Sequence, residues 1–167
     1  MYVYYTDPGG GSSSWIGAVS RSGGILQVVS TTKTDIFSTT STSLVDVTGF
    51  SASITPRSIS SKIYISINTT TGNSSAASNV FQLVRNSTPV AVATGGSITN
   101  NTALIYDAGT NWGDHLGASF LDSPSTTSSV TYKVQMFVSG GTGYVGRPGV
   151  NSERGAVSTI TLMEVAG

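Results

Sequence analysis

The stretch SVTYKVQMFV, Ser129–Val138, decides the fold. Val130, Tyr132, Val134, Met136 and Val138 occupy every second position, which puts them on one face of an extended chain and leaves the other face to Thr131, Lys133, Gln135 and Phe137. KIYISINTT, Lys62–Thr70, repeats the pattern with Ile63, Ile65 and Ile67. Outward from these two lie ILQVVSTTK (Ile25–Lys33), LVDVT (Leu44–Thr48), FSASIT (Phe50–Thr55, stopped by Pro56) and NVFQLVRNS (Asn79–Ser87). VAVAT (Val90–Thr94) follows a turn at Thr88-Pro89, and ALIYD (Ala103–Asp107), HLGASFLDS (His115–Ser123, stopped by Pro124) and VSTITLMEV (Val157–Val165) complete the series. No window carries a helical period. About ten short strands separated by turn residues read as an all-β sandwich, jelly roll or barrel.

Composition agrees. Val, Ile and Thr number 51 of 167 residues, whereas Glu and Lys number five, which favours strands and disfavours helices. Leu, Ile, Val and Phe number 40, enough for a buried core. Only 10% of residues are charged, against roughly 25% in ordinary soluble domains. Eight basic residues balance eight acidic ones, a poor basis for nucleic-acid binding, where affinity rests on neutralising phosphates. The absence of cysteine excludes a disulfide framework and thiolate metal sites, and is compatible with assembly in a bacterial cytoplasm. With 28 Ser and 23 Thr, two accounts of the sparse charge hold together: hydroxyl and amide groups hydrate the surface, and part of it is buried against other chains. The longest apolar runs are about four residues, as in Ala103–Tyr106, so membrane insertion is not expected.

Residues 1–24 differ from the rest. MYVYYT and SSSWIGAV flank Pro8-Gly-Gly-Gly11, which predicts a short aromatic hairpin, joined by the Gly-rich Arg21–Gly24 to a domain of residues 25–167. An isolated hairpin is marginal in water, so Tyr2, Tyr4, Tyr5 and Trp15 are candidate anchor residues that pack on the main domain or on a partner.

Chemistry is harder to find. Gly141-Thr-Gly143-Tyr-Val-Gly146 fits a dinucleotide fingerprint literally, but Arg147-Pro148-Gly149 leaves no room for the helix that motif needs, so 139–149 reads as a flexible Gly-rich loop. His115, the only histidine, lies near Asp107 and Asp114 at spacings that make a weak metal set, and reads as a loop entering a strand. No G-x-S-x-G singles out a nucleophile among the serines. Nothing pairs two of the eight carboxylates for glycoside cleavage, and Asp7, Asp107 and Asp122 read as turn residues. No catalytic residue, metal ligand or cofactor is therefore assigned. The candidate partner-binding residues are Tyr106, Trp112, His115, Tyr144 and Arg147, at strand ends and in loops, where aromatic and basic groups anchor sugars or proteins.

Gly24–Ile65, VFQLVRNSTPVA (Val80–Ala91), SFLDSPSTTSSVTYKVQMF (Ser119–Phe137) and STITLMEVAG (Ser158–Gly167) together resemble a β-rich module recurrent in virion proteins of tailed phages, marine and cyanobacterial ones above all. The strand order is also similar to the trimeric tumour-necrosis-factor and complement-type jelly roll. The resemblance implies an antiparallel jelly-roll sandwich and a virion structural protein. The expected form is a homotrimeric tail fibre or receptor-binding tip whose loops meet a host-surface glycan or protein. A capsid-decorating or head-fibre protein held to other virion proteins through residues 1–24 is the alternative, and a polysaccharide depolymerase the third reading.

A strand this close to the C-terminus is usually central in its sheet. Deleting Val157–Gly167 is expected to abolish folding; a soluble truncation that melts cooperatively would refute this.

Overall fold

Alternation of apolar and polar side chains recurs in strand after strand, and each strand must find partners on both edges or lie at a sheet margin. The structure, a computed structural model, describes residues 3–4, 15–16, 23–96, 98, 101–108, 113–149 and 154–167, the first two pairs as backbone only. The strands are β1 (Val3–Tyr4), β2 (Trp15–Ile16), β3 (Ile25–Lys33), β4 (Phe37–Thr39), β5 (Val45–Ile54), β6 (Lys62–Asn73), β7 (Ala77–Arg85), β8 (Thr88–Val90), β9 (Ala103–Asp107), β10 (Asp114–Asp122), β11 (Val130–Val138), β12 (Gly143–Val145) and β13 (Ser158–Val165).

All pairings are antiparallel. β1 and β2 form a two-stranded sheet with Val3 opposite Ile16 and Tyr4 opposite Trp15, the expected hairpin pairing. The eight longest strands form two four-stranded layers, β3-β13-β6-β10 and β5-β11-β7-β9. Numbered in chain order, these are first-eighth-third-sixth against second-seventh-fourth-fifth, the interleaved Greek keys of a jelly roll. β12 continues β13's edge of β6 and carries β4 beyond it; β8 and β9 share the remaining edge of β7. β13 lies between β3 and β6, central as its position in the chain foretold.

The inward rows make the core. Ile67 has Ile160 on one side and Ala118 on the other; Ile65 has Leu162 and Phe120. Facing them from the second sheet are Tyr132, Val134 and Met136 of β11 and Phe81 and Leu83 of β7, all buried. Each such side chain contributes about 1.5–3 kcal/mol through removal from water.

Four expectations need correction. Leu44–Thr48 and Phe50–Thr55 are one strand, β5, whose pairing with β11 slips between Lys133 and Gln135; Gly49, at φ 77°, takes up the irregularity. The hairpin turn lies at Asn86-Ser87, not Thr88-Pro89: Asn86 adopts φ 54°, which asparagine tolerates, and Pro89 is already in the edge strand. Residues 139–149 are not a free loop, because β12 runs through them, paired on both edges. Asp107 and Asp122 are not exposed turn residues but buried ends of strands.

Those buried groups close the core at both ends. At the lower end, where β6 begins, Glu164 and Asp122 flank Ile63 in one inward row. Asp122 receives both an Arg85 Nη1 bond (2.8 Å to Oδ2) and the Tyr132 hydroxyl (2.7 Å), joining the first sheet to β7 and β11 of the second. Burial next to that carboxylate pushes the Tyr132 phenol far above its ordinary range. Glu164 accepts the Arg57 main-chain N–H (2.7 Å) and Gln27 Nε2 (2.6 Å), tying β13 to the segment after β5. At the upper end, where β6 finishes, Asn73 donates its N–H to Asp107 and its amide to Asn79, and Asn79 reaches Thr71.

Removing only the Tyr132 hydroxyl leaves Asp122 with its Arg85 partner, so Tyr132→Phe is expected to cost about 1 kcal/mol. Asp122→Ala strands two donors and should cost about 3 kcal/mol, both read from urea unfolding. Burial raises the Glu164 carboxyl, and its hydrogen bonds outweigh that and hold it below its ordinary value. A depressed folded-state pKa stabilises the fold above the unfolded value and loses that contribution as pH falls through the folded one. Acid titration of stability below about pH 4 should therefore be steeper for wild type than for Glu164→Gln.

Candidate functional site

The outer face of the first sheet is built by strict alternation. On β6 the buried Ile63, Ile65 and Ile67 leave Tyr64, Ser66, Asn68 and Thr70 pointing away from the core. The registers of β3, β13 and β10 then set those residues in transverse rows. The first row is Val28, Met163, Tyr64 and Leu121; the second is Ser30, Thr161, Ser66 and Ser119; the third is Thr32, Thr159, Asn68 and Gly117. None of the twelve is charged. Val28 is 55% exposed, Leu121 47% and Tyr64 36%, so the first row is an apolar band standing in water. Beyond it, Val165 lies between Ile25 and Lys62. The next two rows are hydroxyls and one amide, with Ser30 and Thr161 bonded across strands at 3.0 Å. Because Gly117 has no side chain, an open groove of about 220 Å³ runs between Tyr64, Ser66, Asn68 and Ser119. The outer face of the second sheet differs, since there Lys133 pairs with Asp46 at 2.8 Å and Gln135 bonds the same carboxylate.

At the upper end of the same outer face, three of the sequence-predicted residues gather. His115 is exposed near the start of β10, opposite Thr70, within the strand expected over His115–Ser123. Tyr144 lies on β12 opposite Gly72, across β6 from β10. The strand after Tyr144 turns back over the sheet, and the Arg147 guanidinium comes to rest 3.7 Å from the Tyr144 ring centroid. Glycine makes this return possible: a Cβ on Gly72 would strike the Gly149 main chain, and one on Gly149 would strike Asn73 O. Gly146 N–H bonds Thr70 O at 2.8 Å and Ala156 N–H bonds Gly146 O at 2.7 Å, so the return is fastened at Gly146.

The other candidates do not join this group. Tyr106 is 59% exposed but stands on β9 of the second sheet, opposite Ser78. Trp112, Tyr2 and Tyr5 lie outside the described residues, as do the side chains of Tyr4 and Trp15. The carboxylates are put to structural use: Asp107, Asp122 and Glu164 in the buried networks, Asp35 and Asp46 in pairs with Lys33 and Lys133. The lysine bond holds each of the last two below the ordinary carboxylate range. Among the described residues no three of His, Asp and Glu gather as a metal set. Sequence reasoning found Tyr144 and Arg147 but missed the uncharged rows, whose members become neighbours only once four strands are in register.

No family model matches the sequence, and no curated protein does. Among solved structures the chain is similar to that of the infectious bursal disease virus Gx strain, at TM-score 0.53 and 13% identity over 99% of this chain and 37% of that one. It is also similar to the infectious bursal disease virus VP2 subviral particle, at TM-score 0.50 and 14% identity over 99% of this chain and 38% of that one. The chain thus spans under two fifths of the length of either. At such identity the likeness concerns the fold, and this chain shares the β-sandwich of those two viral particle proteins.

Proposed function

We propose that this chain is a non-enzymatic structural protein of a virion, assembling as a homotrimeric fibre or appendage of the tailed-phage kind and offering its upper end to a host-surface glycan. The observation that carries the reading is the uncharged outer face of the β3-β13-β6-β10 sheet. Three rows about 6.8 Å apart across four strands at ~4.8 Å spacing give a planar footprint on the order of 400 Å². That is about half of the accessible surface, about 800 Å² per partner, that a standard interface buries. An apolar band backed by hydroxyl rows meets a copy of itself with no like-charge repulsion and with donors and acceptors on both sides. Closure about a threefold axis places one such face from each subunit toward the centre. It also explains a chain with 10% charged residues, since the barest face is removed from water.

The fold shared with two viral particle proteins supports a virion role. A second reading, a capsid-decorating protein gripping the shell through residues 1–24, is favoured by the pairing of β1 with β2 as a sheet separate from the sandwich. Both readings use the same assembly face, and in both the virion partners are other structural proteins. A depolymerase is the weakest reading, because five of the six described carboxylates are occupied in buried networks and ion pairs, which leaves Asp114 without a second one beside it.

Light scattering of the purified protein is expected to give about three times the 17.1 kDa chain mass. Met163→Glu with Leu121→Asp places charges in the apolar band and should yield a monomer with unchanged circular dichroism. A wild-type monomer at micromolar concentration, or a charged variant that still assembles, overturns the proposal.

A further inference from the structure

We infer that the Tyr144–Arg147 platform is a binding site for a carboxylate-bearing sugar, so that the glycan met by the upper end is an acidic polysaccharide. This rests on the glycan reading above and names its chemistry. A guanidinium carries five N–H donors and keeps its charge at every physiological pH. In Arg147 Nε is sealed from solvent and meets no acceptor, and among the described residues the guanidinium makes one hydrogen bond, from Nη2 to Gly149 O at 3.5 Å, the outer limit for such a bond. The ion pairs among the described residues use Lys33, Arg85 and Lys133, and Arg147 takes part in none. Asp114, which begins β10 opposite Thr71, does not pair with it either. A half-buried cation with no ion pair among the described residues is costly to keep, and an anion reaching its Nη groups would complete it.

The group is also held still. Its flat face lies on Tyr144, Pro148 is wedged against Gly113, and Gly149 is trapped over Asn73. An arginine fixed this way loses little freedom on binding, which is what a recognition site requires. The fork geometry of guanidinium matches a planar carboxylate with two parallel bonds. Nearby on the same face Thr70 O holds Gly146 N–H, and the exposed His115 stands opposite Thr70, so hydroxyl and imidazole groups adjoin the platform. A fixed guanidinium beside hydrogen-bonding groups fits a ligand with many hydroxyls and widely spaced charge. A polyphosphate ligand would call for a run of lysines and arginines that this face does not have.

The test is binding of the full-length protein to immobilised polygalacturonate, polysialic acid and dextran. Retention on at least one acidic polymer and not on dextran is expected, falling with added salt. Arg147→Gln should weaken retention at least about tenfold, and Arg147→Lys, which keeps the charge but loses the fork, should recover only part of it. Thermal melting and scattering mass are recorded on every variant, so that loss of fold or assembly is seen separately. Equal binding to dextran leaves a glycan-binding appendage standing and overturns the acidic-sugar assignment. So does acidic-polymer binding that Arg147→Gln leaves intact. No binding to any polymer by an intact trimer overturns this inference and the glycan part of the reading together, and leaves the assembly proposal in place.

Discussion

Everything in the sandwich depends on the hydrogen bonding of one strand. β6 is the longest, twelve residues, and both of its edges are occupied: β10 along one, β13 and then β12 along the other. An unbonded peptide group in that position would lie in a dry interior, so the partners are obligatory. Their registers are equally constrained. A slip of one residue between β6 and β13 would move Ile160 and Leu162 to the solvent face and bring Thr159, Thr161 and Met163 into the core. The core and the uncharged outer face are therefore one specification. Whatever fixes Ile65 opposite Leu162 also fixes Tyr64 opposite Met163.

The same coupling explains why both ends of the sandwich are polar. A jelly roll is open where its strands stop, and apolar side chains there would meet water. At the lower end two carboxylates, and at the upper end two asparagines and an aspartate, fill the gap with groups that bond across layers. The upper network has a second use, since Thr71 donates its hydroxyl to Tyr144 O and so fixes the strand that presents the arginine platform.

The strands with strong alternation were legible in the sequence: Ile25–Lys33 and Ala103–Asp107 match β3 and β9 in their bounds, and Lys62–Thr70, Ser129–Val138 and Val157–Val165 fall within three residues of β6, β11 and β13. Alternation identifies them because it reports burial directly. What could not be read has a different cause in each case. β4 and β12 are three residues long, too short for a period, and exist because the end of β6 offers β12 an edge and β12 in turn offers one to β4. The glycines of 140–149 signalled freedom, yet several serve close packing, and sequence alone does not separate the two uses. The transverse rows escape any one-dimensional reading, since Val28 and Met163 are paired only through a register that spans nearly the whole chain. Tyr144 and Arg147 were found by residue type, but their stacking depends on the backbone return over Gly72.

The central place of β13 has a consequence in time. Of the sandwich strands β3 is synthesised first and its neighbour β13 last; Gln27 and Glu164, which bond each other, are 137 residues apart. Until β13 emerges, β3 has no edge to join, and β6 carries one open margin along most of its length. The second layer, β5, β7, β9 and β11, is complete some twenty residues earlier and can form first. Late closure of this kind belongs to slow folding topologies, in which distant segments must meet before either is rewarded. Within the sandwich the first sheet is therefore completed only by β13, and the face proposed for association takes shape with it.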